Sequence, residues 1–299
     1  MALQIPAWGV DWSTIEGKDI ELFYPGQSAW EWILVQTDHS GAKKLREGKA
    51  CRECHDGEQE DIGNLIVSGE KLEPDPIPDK PGTIKLNVKS AHDTDNLYLR
   101  LHWQNGDGGG ERMDPKHQAK ITVMLNPFTF TAVQLAGCWT TCHNDAQTMP
   151  NAEPGSKLTK YLIASRTKAS RSGGGENYKP QADLDKLLAD GQFMEYWQAR
   201  LNPGESASAV DGYILARREK NDTPSVKVEA VEEDGGWSVI MSRPLVAPGP
   251  GHFDLLPGKR YFIGFAIHDN YTEHRFHHVS FEYDLALDSG DAFFVAPKR

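Results

Sequence analysis

The chain is poor in the features that would send it to a membrane or a nucleic acid. Its longest apolar run, residues 261–267, is far shorter than the roughly 18–20 residues that a membrane-spanning helix needs. Basic residues are outnumbered: 32 Lys and Arg against 43 Asp and Glu leave a net charge of −11. Such a surface repels phosphate backbones and anionic lipid, so neither nucleic acid nor a membrane surface is an expected partner. Residues 1–6 offer no basic n-region and no apolar h-region, so no signal peptide is visible. Apolar residues make up 38% of 299 positions, a polar composition, yet the length suffices for one large domain or two modest ones.

Cysteine is also scarce, and its placement is informative. The four cysteines form two close pairs, each followed at once by histidine: Cys51-Arg52-Glu53-Cys54-His55 and Cys138-Trp139-Thr140-Thr141-Cys142-His143. Eleven histidines in 299 residues make a His after any given Cys about a 4% event, and two such cases about 0.1%, so coincidence is a poor explanation. C-x-x-C-H is the signature of covalent c-type haem attachment. Two thiols a helical turn or less apart can add to the vinyl groups on one edge of a haem, and the following histidine supplies the proximal nitrogen to iron. The second pair has one more intervening residue and needs a looped-out position. Two covalent haem c groups are therefore expected, held by Cys51, Cys54 and His55 and by Cys138, Cys142 and His143.

Other uses of these residues explain less. Structural zinc sites usually gather their pairs within a short span, whereas Cys54 and Cys138 lie 84 positions apart. Neither pair follows the strand-then-helix pattern of a thiol–disulfide centre. Two structural disulfides would leave both following histidines unexplained. Haem c is attached outside the bacterial cytoplasm, so a periplasmic location is expected, with the export signal absent from the sequence given.

The rest of the chain reads as an N-terminal helical segment followed by strands. Residues 28–35 and 40–50 are helical in composition, Ser40 can cap the second, and that helix runs into the first haem motif. The proline-rich stretch 74–81 reads as a linker and sets a boundary between residues 1–75 and 76–299. Beyond it, segments 83–88, 96–103, 119–125, 225–231, 237–242, 260–267 and 278–287 read as strands, with a turn at Asp107-Gly108-Gly109-Gly110. Residues 131–215 read as an irregular insertion holding one helix at 193–201. The fold class expected is mainly β: a β-sandwich haem-binding domain with an N-terminal helical c-type haem segment.

Several of these segments together resemble the haem-binding domain of ethylbenzene dehydrogenase-type proteins, the β-sandwich small subunit of a group of periplasmic molybdenum enzymes. The matching pieces are residues 97–103, 121–125, 137–143, Tyr196-Trp197-Gln198, 265–269 and 277–280. Those enzyme subunits hold a non-covalent haem between methionine and lysine. Here His143 stands in the methionine loop, and His278 stands where the lysine is expected, before Val279-Ser280. The resemblance thus implies a c-type haem with histidine on both faces, and it leaves the first 75 residues as an added haem module.

For the second haem His278 is the favoured distal ligand and His277 the next, since neighbours on a strand point to opposite sides. His274 and Met149 are outside options, and a methionine would raise the potential. For the first haem the favoured distal ligand is His39. A straight helix over the twelve residues to Cys51 would span about 18 Å, so His39 reaches the same iron only if the segment bends back, or else reaches a haem in a partner chain. His102, His117, His252 and His268 are alternatives. Glu31, Glu53, Asp56 and Glu58 read as solvated surface; Trp30, Trp32, Trp103 and Trp139 could pack against haem faces, with ordinary core packing the default for each.

The expectation is an electron carrier rather than a stand-alone enzyme, working with redox proteins that present basic docking patches. The resemblance implies a molybdoenzyme or a membrane quinol oxidase as its neighbours, and a homo-oligomer is left open. The competing readings are a haem enzyme or haem sensor with one open iron position, and a zinc-stabilised β-sandwich.

Overall fold

The computed structural model describes residues 8–106, 113–288 and 290–299. The expected turn at 107–110 lies outside the described residues. Strand β1 (Lys18–Phe23) comes first, followed by four short helices: α1 (Trp30–Ile33), α2 (Ala42–Arg46), α3 (Cys51–His55) and α4 (Gln59–Val67). Then come β2 (Thr83–His92), β3 (Asn96–Gln104), β4 (Ala119–Asn126), α5 (Thr131–Ala136) and α6 (Gln181–Ala189). From Met194 on, the regular elements are strands: β5 (Met194–Leu201), β6 (Ser208–Ile214), β7 (Arg218–Lys220), β8 (Lys227–Glu233) and β9 (Gly236–Pro244). The chain closes with β10 (Arg260–His268), β11 (His278–Val279), β12 (Tyr283–Leu287) and β13 (Phe294–Ala296).

The chain is mainly β, built on one large antiparallel sheet. Its strand order is β7-β6-β5-β4-β10-β11-β1-β2-β3-β9-β8, with β12 also on β10 and β13 parallel to β12. In β2 the apolar Ile84, Leu86 and Val88 are buried at every second position, the period of a strand with one face on a core. By contrast β4 is buried along its whole length, as befits an interior strand flanked by β5 and β10.

The sheet curls back on itself. Seven steps of roughly 4.8 Å separate β5 from β9 along the strand order. Yet Arg243 of β9 makes a two-pronged ion pair with Glu195 of β5, with Nη2 to Oε2 at 2.8 Å and Nε to Oε1 at 2.9 Å. Leu99, Val239, Val123, Trp197 and Phe265 share one buried cluster, which draws on both arms of the curl.

Several local expectations need correction. The segment expected as helix at 193–201 is strand β5, paired to β4 and β6. A short apolar run does not separate buried helix from buried strand, and Tyr196 and Trp197 suit a strand packed on both faces. The region 131–215 is not wholly irregular, because β5 and β6 are full members of the sheet. Within 1–75, Lys18–Phe23 is a sheet strand paired to β2 and β11. Nor is the proline-rich stretch a free linker. Glu73, just before it, is 2% exposed and pairs with Arg275, and Lys80 donates to Asp269 at 2.6 Å with both side chains buried.

The helical segment lies against the sheet through Phe23, Ile33, Leu45, Trp139, Val279 and Phe281, which form a second buried cluster. The two cysteine motifs meet around this cluster: Trp30 N–H donates to Cys142 O at 2.6 Å, joining α1 to the second motif.

Candidate haem sites

The first motif is one turn of helix. Ala50 is extended, and α3 begins at Cys51, so Cys51 and Cys54 lie three residues apart on one face with His55 next. The helix expected over 40–50 is interrupted: α2 ends at Arg46, and Gly48 turns the chain at φ +98°. That bend returns His39 to face His55, with ring centroids 6.0 Å apart. Both rings line a cavity of about 410 Å3, together with Cys51, Cys54, Trp32 and Trp139.

The hydrogen bonds select which nitrogen each ring offers. His39 Nδ1 lies 2.9 Å from the Ile33 carbonyl, which can only accept, so Nδ1 carries the proton and Nε2 keeps a lone pair. His55 Nδ1 lies 2.8 Å from Glu58 Oε2, again leaving Nε2. Burial holds His39 below its ordinary range, which favours the neutral, ligating form. Metal–imidazole bonds of about 2 Å would give two opposed ligand rings a centroid separation of roughly 6 Å, close to that observed. Both thiols on the cavity wall, two imidazoles across it and the free volume fit a covalently attached haem.

The second motif is built more tightly. Residues Gly137–Thr141 form a 3-10 turn that opens on Gly137 at φ +48°. A Cβ at Gly137 would lie 2.6 Å from the Phe262 ring, and one at Gly264 would lie 2.7 Å from Cys138 Sγ. Both positions therefore demand glycine for the backbone to approach. His143 is fully buried, with Nδ1 on the Glu31 carboxylate and its ring stacked on Tyr161 at 3.8 Å. Its Nε2 is buried without a hydrogen-bond partner. Burial pushes the Cys138 thiol up to about 12.

Across from these cysteines lies His277, not His278. His277 lines a small cavity with Cys138, Cys142, Trp139, Lys160 and Arg275. Its Nδ1 is 2.7 Å from the His274 carbonyl, which leaves Nε2 available, and burial holds the ring well below its ordinary range. His278 turns the other way: Nε2 meets Pro81 O at 2.7 Å, and Nδ1 is 3.8 Å from Asp269. Burial, reinforced by Lys80, pushes His278 down to about 4. The donor set here suits a haem, with two thiols, an unpartnered His143 nitrogen and a neutral His277. The enclosed volume does not, since about 20 Å3 is the room of one water molecule.

The chain is similar to known cytochromes c. Cytochrome c-552 of Stutzerimonas stutzeri is 38% identical over 284 residues, covering 93% of this chain and 88% of that protein. The chain belongs to this cytochrome c family. Cytochrome c-551 of Rhodocyclus tenuis is 26% identical over 295 residues, covering 97% of this chain and 99% of the relative. The ethylbenzene dehydrogenase family profile matches residues 209–280. Among solved structures, a family 9 carbohydrate-binding module from Caldicellulosiruptor kristjanssonii aligns at TM-score 0.30 and 8% identity, over 72% of this chain and 75% of that one. That overlap is too distant to bear on fold or ligand.

Haem c, and with it electron transport through iron, comes with the family. In this cytochrome the remaining histidines have other partners. His102 lies 3.6 Å from Glu233, His117 lies 3.1 Å from Asp114, His252 lies 3.0 Å from Glu195, and His268 Nε2 is 3.1 Å from the His274 carbonyl. His274 Nε2 is 3.1 Å from Gln147. Met149 is buried in a small cluster with Ala29, Ala146 and Cys142. Trp103 is a core residue, as expected. Among the described residues no three His, Cys, Asp or Glu side chains converge as a metal site, and no helix is long and apolar enough to cross a membrane.

Glu31 and Glu58, both expected as solvated surface, acquire roles that sequence reasoning missed: Glu58 orients His55 through Nδ1. Glu31, expected on the surface, is 7% exposed and orients His143; a lone carboxylate between Trp30 and Trp32 was the available signal. Trp139 lines the cavities of both motifs and stacks on Phe23 at 5.5 Å, so a residue of the second motif forms part of the first motif's wall.

Proposed function

We propose that this protein is a periplasmic di-haem c-type cytochrome that carries electrons one at a time between redox proteins. The observation that carries the reading is the opposition of His39 and His55 at 6.0 Å across a cavity walled by both Cys51 and Cys54. When bound, the haem supplies one-electron iron chemistry; the chain supplies attachment, axial nitrogens and burial, which together set the potential. His39 and Ile33, and His55 and Glu58, act as ligand-and-orienter pairs. At the second site Cys138 and Cys142 would be the attachment thiols, with His143, oriented by Glu31, and His277 as the nitrogens offered to iron; the cavity of about 20 Å3 means that the walls would have to part to seat the haem. The large sheet is read as a β-sandwich, supported by the contact of β5 with β9 across the core. Haem attachment outside the cytoplasm supports the periplasmic assignment, and the ethylbenzene dehydrogenase profile over 209–280 supports a molybdoenzyme as neighbour, with a membrane quinol oxidase the other partner proposed.

Intact mass with a reduced-minus-oxidised spectrum, on protein made in a host that attaches haem c, tests this directly. Two covalent haems and a low-spin spectrum indifferent to carbon monoxide are expected. A single haem would remove the second site, and carbon monoxide binding would favour an enzyme or sensor with an open iron position.

A further inference from the structure

The net charge of −11 implies partners with basic surfaces, but the charge around the first haem cavity is of the opposite sign. Residues 42–49 (AKKLREGK) hold four basic residues against one acidic, a local charge of +3 that leaves −14 on the rest of the chain. Five residues lining the cavity are Lys, Asp or Glu: Asp38, Glu58, Lys44, Lys49 and Lys71. Both carboxylates are engaged, Asp38 by Arg171 and Glu58 by His55 Nδ1. The three lysines are exposed, and among the described residues none is held in an ion pair; Lys71 only rests over the Trp32 ring, 5.6 Å from its centroid. Along α2, outward from the cavity, Lys43 is 73% exposed and pairs loosely with Glu47 at 3.8 Å, and Arg46 is exposed. Glu53 belongs to a different hollow, with Arg52, Arg260 and Asp284. Cys54 is exposed, and the His55 side chain is 30% exposed, so the cavity wall reaches the surface where electrons can cross.

We propose that this mouth is a docking surface for an electron partner that presents carboxylates, with Lys44, Lys49 and Lys71 making the contact. The inference rests on the first haem of the proposed function and is independent of the second. Fields at this scale act within about a Debye length, roughly 8–10 Å at ordinary ionic strength. A partner at the mouth therefore feels the three nearby lysines more than carboxylates spread over the far surface. Local charge of this kind raises association rates by about tenfold or more at low salt. With haem held at Cys51 and Cys54, a reduced partner at this mouth would pass it one electron, with no bond formed or broken.

Stopped-flow reduction of the haem-loaded protein by the anionic complex Fe(EDTA)2− and the cationic complex Ru(NH3)6 2+ reads the charge at the point of transfer. The expected result is that the anionic reagent slows as salt rises, against the direction that the overall charge of −11 dictates. Two variants separate local from global charge. Lys44→Glu/Lys49→Glu/Lys71→Glu and the remote control Lys186→Glu/Lys220→Glu/Lys227→Glu each lose six charges, so both carry −17. The mouth variant should reverse the salt slope and lose about tenfold in rate at low salt, while the remote variant keeps the wild-type slope. Equal behaviour of the two variants, or a wild-type anionic rate that rises with salt, overturns the proposal. So does a shift of midpoint potential in the mouth variant with its salt slope unchanged, which would assign these lysines to the haem propionates. Intact mass of each variant reports haem attachment separately, so a missing first haem is distinguished from a failed docking surface.

Discussion

Replacing Glu282 by glutamine should gain about 3 kcal/mol on the wild type between roughly pH 4 and pH 8. Glu282 lies just after Phe281, on the wall between the two cysteine motifs. One carboxylate oxygen accepts the Arg52 N–H at 2.8 Å, and the other is buried without a partner. Burial pushes the group up from 4.5 to about 7; the nearby Glu53 charge adds to this, and Arg52 opposes it through its N–H and its charge. The folded protein thus holds a proton between 4.5 and 7 that the unfolded chain gives up. Stability from this group is full below 4.5 and is lost as pH rises through 7, the reverse of an ordinary ion-paired carboxylate. At about 1.4 kcal/mol per pH unit, the gap from 4.5 to 7 amounts to about 3 kcal/mol once both states are ionised. Glu282→Gln keeps the acceptor for Arg52 but buries an amide NH2, a pH-independent cost of about 1–3 kcal/mol. The readout is therefore the change in the variant-minus-wild-type difference with pH, from denaturant unfolding of haem-loaded protein followed by circular dichroism with matched m-values. A difference flat from pH 4 to 8 would refute the buried-carboxylate reasoning.

Three further outcomes test the ligand and linker assignments. His39→Ala should leave the haem mass unchanged but open the first iron, seen as carbon monoxide binding in the visible spectrum. His277→Ala should open the second iron in the same assay, whereas His278→Ala should leave ligation intact and lower stability by removing the ring between Pro81 and Asp269. Arg275→Met should cost about 3 kcal/mol in denaturant unfolding, because Glu73 is left buried without its ion partner, with only Tyr24 OH and the Asp75 N–H donating to it; adding Glu73→Gln should recover part of that loss.

The strands that alternate, and both cysteine motifs, were legible because each depends on local spacing. Ile84, Leu86 and Val88 announce a strand by burying every second residue. In β5 no such alternation exists, since Met194, Tyr196 and Trp197 are all buried, and the segment passes equally for helix. What decides it is the partner on each side, and neither β4 nor β6 is visible from the segment itself. The proline-rich stretch misled for the same reason. Proline removes the residues around it from helix and strand interiors, but solvation does not follow. Lys80 is buried because Asp269, 189 positions away, receives it.

The histidines show how far local rules reach. Strand geometry places His277 and His278 on opposite faces, so one of them must turn from the second motif. Which one turns away is decided by residues remote in sequence. Lys80 and Asp269 form a buried charged site beneath β11, and Pro81 offers a carbonyl there; the ring on that side is His278. His277 is left on the face of Cys138 and Cys142. At the first motif a straight helix would have carried His39 away from His55, but Gly48, with its positive φ, breaks that helix and lets the ring return. A glycine two residues before Ala50 was in plain view, but its consequence depended on what the returning chain would meet. Ile33 O meets His39 Nδ1 there, and that contact aims the Nε2 of the histidine already favoured from the sequence into the cavity.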